Sequence, residues 1–104
     1  MNLNDKSSHL LTMQRNAAKA EAMLKQLANA KRLMILCSLV GGVKSAGELA
    51  EIVGLSSSAL SQHLAKMREA ELVGAEKRGQ MVYYRISSME AQALLSTLYL
   101  IYCR

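Results

Sequence analysis

The sequence predicts a mainly α fold of the α+β class, in the order helix-helix-helix-helix-strand-strand-helix. Three observations predict it. Apolar residues at helical spacing run from about residue 8 to residue 70. They give way to β-rich runs between Leu72 and Ile86, then return from about residue 88 to the C-terminus. The chain also contains no proline to interrupt the helical stretches.

The first helix is expected from about Ser8 to Leu27. Leu10, Met13, Ala17, Ala20, Leu24 and Leu27 recur at alternating steps of three and four, a heptad-like stripe. Leu11, Ala18, Ala22 and Met23 widen the apolar face, which fits a subunit interface as well as it fits a core-facing stripe. Asn29 is placed to cap a second helix, Ala30 to Val40, which Gly41-Gly42 ends.

The segment Ser45–Ala70, SAGELAEIVGLSSSALSQHLAKMREA, carries the densest local signals. Ser45 and Glu48 form a capping box that opens a short helix with Leu49, Ile52 and Val53 on one side. Gly54 supplies a permissive φ just past it. Ser56 then caps a helix whose Leu60, Leu64 and Met67 fall at i, i+4 and i+7. Two helices joined in this way make a helix-turn-helix (residues 45–70), a device for laying the second helix in the DNA major groove. Its first turns carry Ser57, Ser58, Ser61, Gln62 and His63, all hydrogen-bonding and nearly uncharged at neutral pH. A solvated structural helix more often carries Glu and Lys there.

Leu72–Arg78 and Met81–Ile86 flank Gly79-Gln80 and predict a hairpin (72–86) whose tip, Lys77, Arg78 and Gln80, is basic. A helix-turn-helix followed at once by a basic hairpin is a winged helix, in which the wing reaches phosphates or the neighbouring minor groove. Arg78 is the first choice for such a contact; its other reading is a solvated turn charge. Arg32 and Lys66, with Lys31 and Arg68, are candidates for phosphate contact or simply for solubility. Ser87-Ser88-Met89-Glu90 reads as a further capping box, opening a last helix over about 88–103. On it Ala91, Leu94, Leu98 and Ile101 form one stripe that Leu95 and Tyr102 extend.

At 104 residues the chain is expected to be one domain (1–104), small enough that dimerisation would help it. Hydrophobic residues make up 51% of it, which argues against disorder. The 13 Lys and Arg against 8 Asp and Glu leave a net charge of +5, which favours a polyanionic partner. The N-terminal residues hold no signal-peptide core, and the longest apolar stretch, Leu33–Val40, is broken by Ser38 and falls short of the ~18 residues of a membrane span. No membrane role is expected, and the expected compartment is the cytoplasm. No C-x-x-C motif, Gly-rich phosphate loop or nucleophile elbow is present, so neither an enzyme nor a cofactor is expected. A pure protein-interaction module is the remaining class, and the polar turn Ser57–His63 argues against it.

Cys37, flanked by Ile35, Leu36 and Leu39, reads by itself as a small core residue. Cys103 reads as an exposed thiol, and the charge of neighbouring Arg104 would favour its thiolate. Nothing in their spacing pairs them.

The runs LANAKRLMIL, SAGELAEIVGLSSSALSQHLAKMREAELV and QMVYYRI resemble the ArsR/SmtB family of bacterial repressors, over about Ala17 to Cys103. Ser56–Leu64 is the most specific element. Cys37 in RLMILC and Cys103 in IYC resemble the dithiol, reactive-sulfur-sensing branch of that family. The resemblance implies a homodimer built on the first and last helices, bound to double-stranded DNA at an imperfect inverted repeat. It also implies a repressor whose DNA affinity falls when Cys37 and Cys103 are oxidised or bridged by sulfur, with reactive sulfur species as inducer. Metal(loid)-responsive repression and constitutive anti-repression are the alternatives. The family's metal sites are not matched: Glu48–Ile52 holds no thiol, the last helix has no histidine and only Glu90 as an acid, and His9 and His63 are far apart. Ala30 stands where members often have proline. Ser57 stands where they often have a longer residue such as glutamine, and serine cannot make glutamine's bidentate contact to adenine.

Overall fold

The computed structural model describes residues 3–103. Its elements are α1 (Leu3–Leu27), α2 (Ala30–Leu39), β1 (Lys44–Ser45), α3 (Ala46–Val53), α4 (Ser57–Glu69), β2 (Val73–Arg78), β3 (Met81–Ile86) and α5 (Met89–Leu98), closed by a π-helical turn, Tyr99–Cys103. The short-range caps fall where the sequence places them. Asn29 Oδ1 accepts from the Arg32 N–H at 3.0 Å and starts α2. The Ser45–Glu48 box is reciprocal, both bonds being 3.2 Å, and Gly54 ends α3 in the left-handed region at φ 67°. Ser56 Oγ accepts from the Ala59 N–H at 3.2 Å and starts α4.

One core lies under these caps. Ile35, Leu36 and Leu39 of α2 pack with Leu49 and Val53 of α3 and with Leu60, Leu64 and Met67 of α4; Leu72, Val73, Ala91 and Leu95 complete it. Ile52, expected on the inner side of α3, is instead 52% exposed. A helix of eight residues turns only one narrow edge inward, and Leu49 and Val53, four apart, occupy it.

The sheet has three strands, not the expected two, in the order β1-β3-β2 and antiparallel throughout. Lys44 and Ser45 pair with Tyr84 and Tyr83, a stretch too short to show any period in the sequence. Ser45 thus ends a strand and caps a helix at once, and it is buried, at 2% exposed. The hairpin register runs from Val73↔Ile86 to Arg78↔Met81. Gly79, at φ 63°, takes the first position of the two-residue turn.

The end of the chain departs further from expectation. Ser88, not Ser87, caps α5, its Oγ accepting from the Ala91 N–H at 3.1 Å and donating to Glu90 at 3.2 Å. Ser87 is taken by another partner. Its N–H bonds Leu72 O at 2.9 Å and its hydroxyl donates to Glu71 O at 3.0 Å, pinning the root of the wing where Glu71 turns at φ 60°. Beyond Leu98 the α-helical ladder gives way to the π-helical turn.

α1 begins at Leu3 rather than Ser8, because no glycine or proline stops it earlier. From Lys6 to Ala22 every residue of it is exposed, and only Leu27 is buried in the core. The molecule measures 59 × 29 × 20 Å with a radius of gyration of 16.8 Å. A compact domain of this length has a radius of about 13 Å. Most of α1 therefore stands off the body.

Candidate functional site

The exposed face of α4 gathers most of the residues expected at DNA. Ser58, Ser61, Gln62 and Lys66 recur at helical spacing opposite the buried Leu60, Leu64 and Met67. Ser57 is exposed at the first position of the helix, and His63 is half-buried at the edge of that face. No acidic side chain sits in the first turn of α4. Its N–H groups and positive dipole end are thus presented without a competing carboxylate, an arrangement suited to phosphate.

The wing carries Lys77, Arg78 and Gln80, all exposed. Arg78 is not a loose turn charge. Its Nη2 donates to Glu76 Oε2 at 3.0 Å, and its guanidinium carbon lies 5.0 Å from the centroid of the Tyr83 ring. Glu76 and Tyr83 face each other across the hairpin, so the register itself sets where Arg78 rests. The sequence reading passed over both. Alternation along the two strands is the signal that could have found them.

Arg32 is placed differently from the other cations. Its Nη1 donates to Gln26 O at 3.3 Å and to Gln26 Oε1 at 3.1 Å, while its Nε is buried without a partner among the described residues. The guanidinium therefore fastens the α1–α2 corner. Lys31 reaches the other way, its Nζ donating to Val53 O at 3.4 Å, a cation closing the C-terminus of α3.

The two thiols, Cys37 half-buried on α2 and Cys103 exposed at the end of the π-helical turn, are free and adjacent. Burial first, and then hydrogen bonding and charge from the neighbouring Cys103 thiol, push Cys37 from the ordinary 9.0 up to about 11. Arg104, expected to activate Cys103, lies outside the described residues. No group of three or more His, Cys, Asp and Glu among the described residues could hold a metal ion. No helix among them is long and apolar enough to cross a membrane.

With this geometry in view, comparisons with known proteins agree on one family. The model of the bacterial regulatory protein arsR family matches residues 29–74, which span α2 to the start of the wing. The transcriptional activator HlyU of Vibrio cholerae is 46% identical over 96 residues, 92% of this chain and 89% of that protein. The structure of its reduced form superposes with a TM-score of 0.86, covering 89% of this chain and 98% of that one. The biofilm growth-associated repressor of Xylella fastidiosa is 35% identical over 91 residues, 88% of this chain and 80% of that protein. A homodimeric winged helix-turn-helix DNA-binding domain from Mycobacterium bovis is 27% identical, with a TM-score of 0.72 over 93% of this chain and 84% of that one. These relatives are regulators rather than enzymes. A helix-turn-helix with a basic wing, matched over nine-tenths of its length by such proteins, leaves one assignment: the chain belongs to the arsR family of bacterial DNA-binding transcriptional regulators.

Proposed function

We propose that this regulator is a homodimeric cytoplasmic repressor that holds an imperfect inverted repeat and lets go when Cys37 and Cys103 become bridged. The adjacency of the two thiols is the observation that carries the reading. They come from α2, which leads into the helix-turn-helix, and from the last turn of the chain, so a bridge ties the two together. Dimerisation rests on α1 and on the chain's end, where Leu10, Met13, Leu24, Leu94 and Ile101 are exposed in the single chain. The M. bovis relative, described as homodimeric, supports it. Repression follows the name of the Xylella relative; the Vibrio relative's name, an activator, suits the anti-repressor alternative.

In this reading Ser57, Ser58, Ser61, Gln62 and His63 face base edges, and Lys66, Lys77, Arg78 and Gln80 face the backbone. Two such units on a two-fold axis place half-site centres ~34–36 Å apart, or a multiple of that. Arg32 acts indirectly, by fixing α2 against α1.

The inducer chemistry suits a sulfane-sulfur donor. The Cys103 thiolate attacks a polysulfide sulfur, an S–S bond breaks, and the shortened polysulfide leaves. The Cys37 thiolate then attacks Cys103 Sγ and expels hydrosulfide, giving a disulfide; attack further along a longer chain gives a polysulfide bridge instead. A coupling of ~1–3 kcal/mol, or roughly 5–150-fold in DNA affinity, is the usual scale for such a switch.

The test is retention of the chain's own upstream DNA by reduced protein, then by protein treated with polysulfide, peroxide or metal salts. Wild type should release with polysulfide, while Cys37→Ser and Cys103→Ser should bind like the reduced protein and fail to release. Normal release by Cys37→Ser, or release by metal alone, overturns the dithiol reading.

A further inference from the structure

The last five described residues, Tyr99–Cys103, form a π-helical turn on an otherwise α-helical element. Ala91 and Leu95 are the buried edge of that element, and Leu98, half-buried, continues it. In an α-helix each residue turns by about 100°, so twelve such steps would leave Cys103 about 120° round from Ala91. The same geometry would put Tyr102 within about 20° of that edge. A π-helical turn advances by only about 80° per residue, and five such steps bring Cys103 back to within about 20° of Ala91. The structure shows the second arrangement: the π-helical turn spans Tyr99–Cys103, Tyr102 is 78% exposed, and Cys103, itself exposed, lies beside the thiol of Cys37 on α2.

We infer that the π-helical turn Tyr99–Cys103 is the element that positions Cys103 on Cys37, by moving the chain's end one residue round the helix. It rests on the dithiol reading only in that the paired thiols are the ones that react. Thr97 Oγ1 donates to Ala93 O at 3.1 Å, competing for a ladder carbonyl one turn before the π-helical turn. Beyond it the Tyr99 N–H is shared between Leu95 O and Ser96 O, and the regular ladder ends there. Conversion of Tyr99–Cys103 to an α-helix swings the thiol off α2, so the helical form of this segment sets whether the pair can close.

Disulfide formation with diamide tests this in the full-length protein. Diamide takes two electrons and both thiol protons, becoming the hydrazine, as the Sγ–Sγ bond forms. The rate is followed by thiol counting and by mass spectrometry of the linked peptides. Wild type should bridge rapidly. The double variant Tyr102→Cys, Cys103→Ser should bridge at least 10-fold more slowly, because position 102 points to solvent. Deletion of Leu100, 61% exposed, should restore an unbroken α-helical register with the thiol back on the inner edge, and bridging should stay within about 3-fold of wild type. Both residues are exposed, and unchanged far-ultraviolet circular dichroism and urea-unfolding transitions of the reduced variants check that each has folded. Equal bridging by wild type and the double variant overturns the positioning role, as does loss of bridging in the Leu100 deletion. Failure of wild type itself to bridge would sink the dithiol reading instead.

Discussion

Leu60, Leu64 and Met67 on α4 are 2%, 2% and 0% exposed, whereas Leu10, Met13 and Leu24 on α1 are 54%, 55% and 56% exposed. Both helices carry an apolar stripe at helical spacing, so pattern alone does not separate them. What separates them is whether one chain supplies the opposing surface. Around α4 it does, from α2, α3, the sheet and α5. Along α1, among the apolar residues from Lys6 onward, it does so at Leu27 and, partly, Met23. The half that holds α4 closes its core within a single chain, and the half that holds α1 leaves its apolar stripe exposed.

The largest effects come from opposite disturbances of the two stripes. Leu24→Glu leaves the chain's own core untouched, yet in a two-fold dimer it buries two unpaired carboxylates, at a cost of several kcal/mol. Sedimentation should then show monomer, and operator binding should fall with it. A variant that stays dimeric would show that this face lies outside the interface. Leu24 serves better than Leu98, which is half-buried within its own subunit. Leu64→Ala should instead lower the chain's own stability by about 2–5 kcal/mol through lost burial and the cavity left behind. The midpoint of urea unfolding should drop for this variant at every protein concentration. For Leu24→Glu the dependence of that midpoint on concentration should disappear.

The thiols bring the same contrast down to two atoms, since Cys37 belongs to the packed half and Cys103 to the exposed end. A thiol raised from 9.0 to about 11 holds about 100-fold less thiolate at neutral pH than an ordinary one. Only the thiolate is nucleophilic, so limiting iodoacetamide at pH 8 should label Cys103 ahead of Cys37. Labelling of Cys37 should rise about tenfold per pH unit and level off near about 11. Equal labelling of the two at pH 8, read by peptide mass spectrometry, would show that burial does not protect Cys37.

What the sequence made legible divides along physical range. Asn29, Ser45 with Glu48, and Ser56 act within three residues of themselves, and each does in the fold what its position announces. Ser87 and Ser88 are adjacent and chemically identical. Choosing between them as the cap of α5 requires knowing that Glu71 O waits for one of them, sixteen residues away in the chain. β1 is two residues long and exists only because β3 is beside it. Lys31 and Arg32 read in the sequence as candidates for phosphate contact or solubility, and the carbonyls that hold them, Val53 and Gln26, become neighbours only once α1, α2 and α3 have packed. The face of α4 was legible because its apolar residues fix which side is left over. The meeting of Cys37 with Cys103 was not legible from spacing, because the two stand on separate elements, α2 and the π-helical turn, that come together only in the packed fold.

The smallest expected effects lie within the DNA-reading half, where α4 and the wing should separate by kind rather than by size. Gln62→Ala removes a side chain from the middle of the exposed face of α4. If it touches a base edge, affinity for the best operator should fall by ~1–3 kcal/mol while random DNA is bound as before. Equal losses on both would remove Gln62 from base reading. Arg78→Ala should act more evenly across sequences and lower the slope of log affinity against log salt by about 0.9 per wing, the counterion released at one phosphate. The ion pair with Glu76 makes this sharper. Glu76 holds Arg78 on the wing but also offsets its charge, and in the exposed setting of that pair the stability at stake is only ~0–1 kcal/mol. Glu76→Gln keeps a hydrogen-bond acceptor beside the guanidinium and removes the opposing charge. DNA binding by this variant should therefore strengthen, with a steeper salt dependence, if Arg78 faces phosphate. Unchanged affinity in both Arg78→Ala and Glu76→Gln would mean that the pair only stiffens the hairpin.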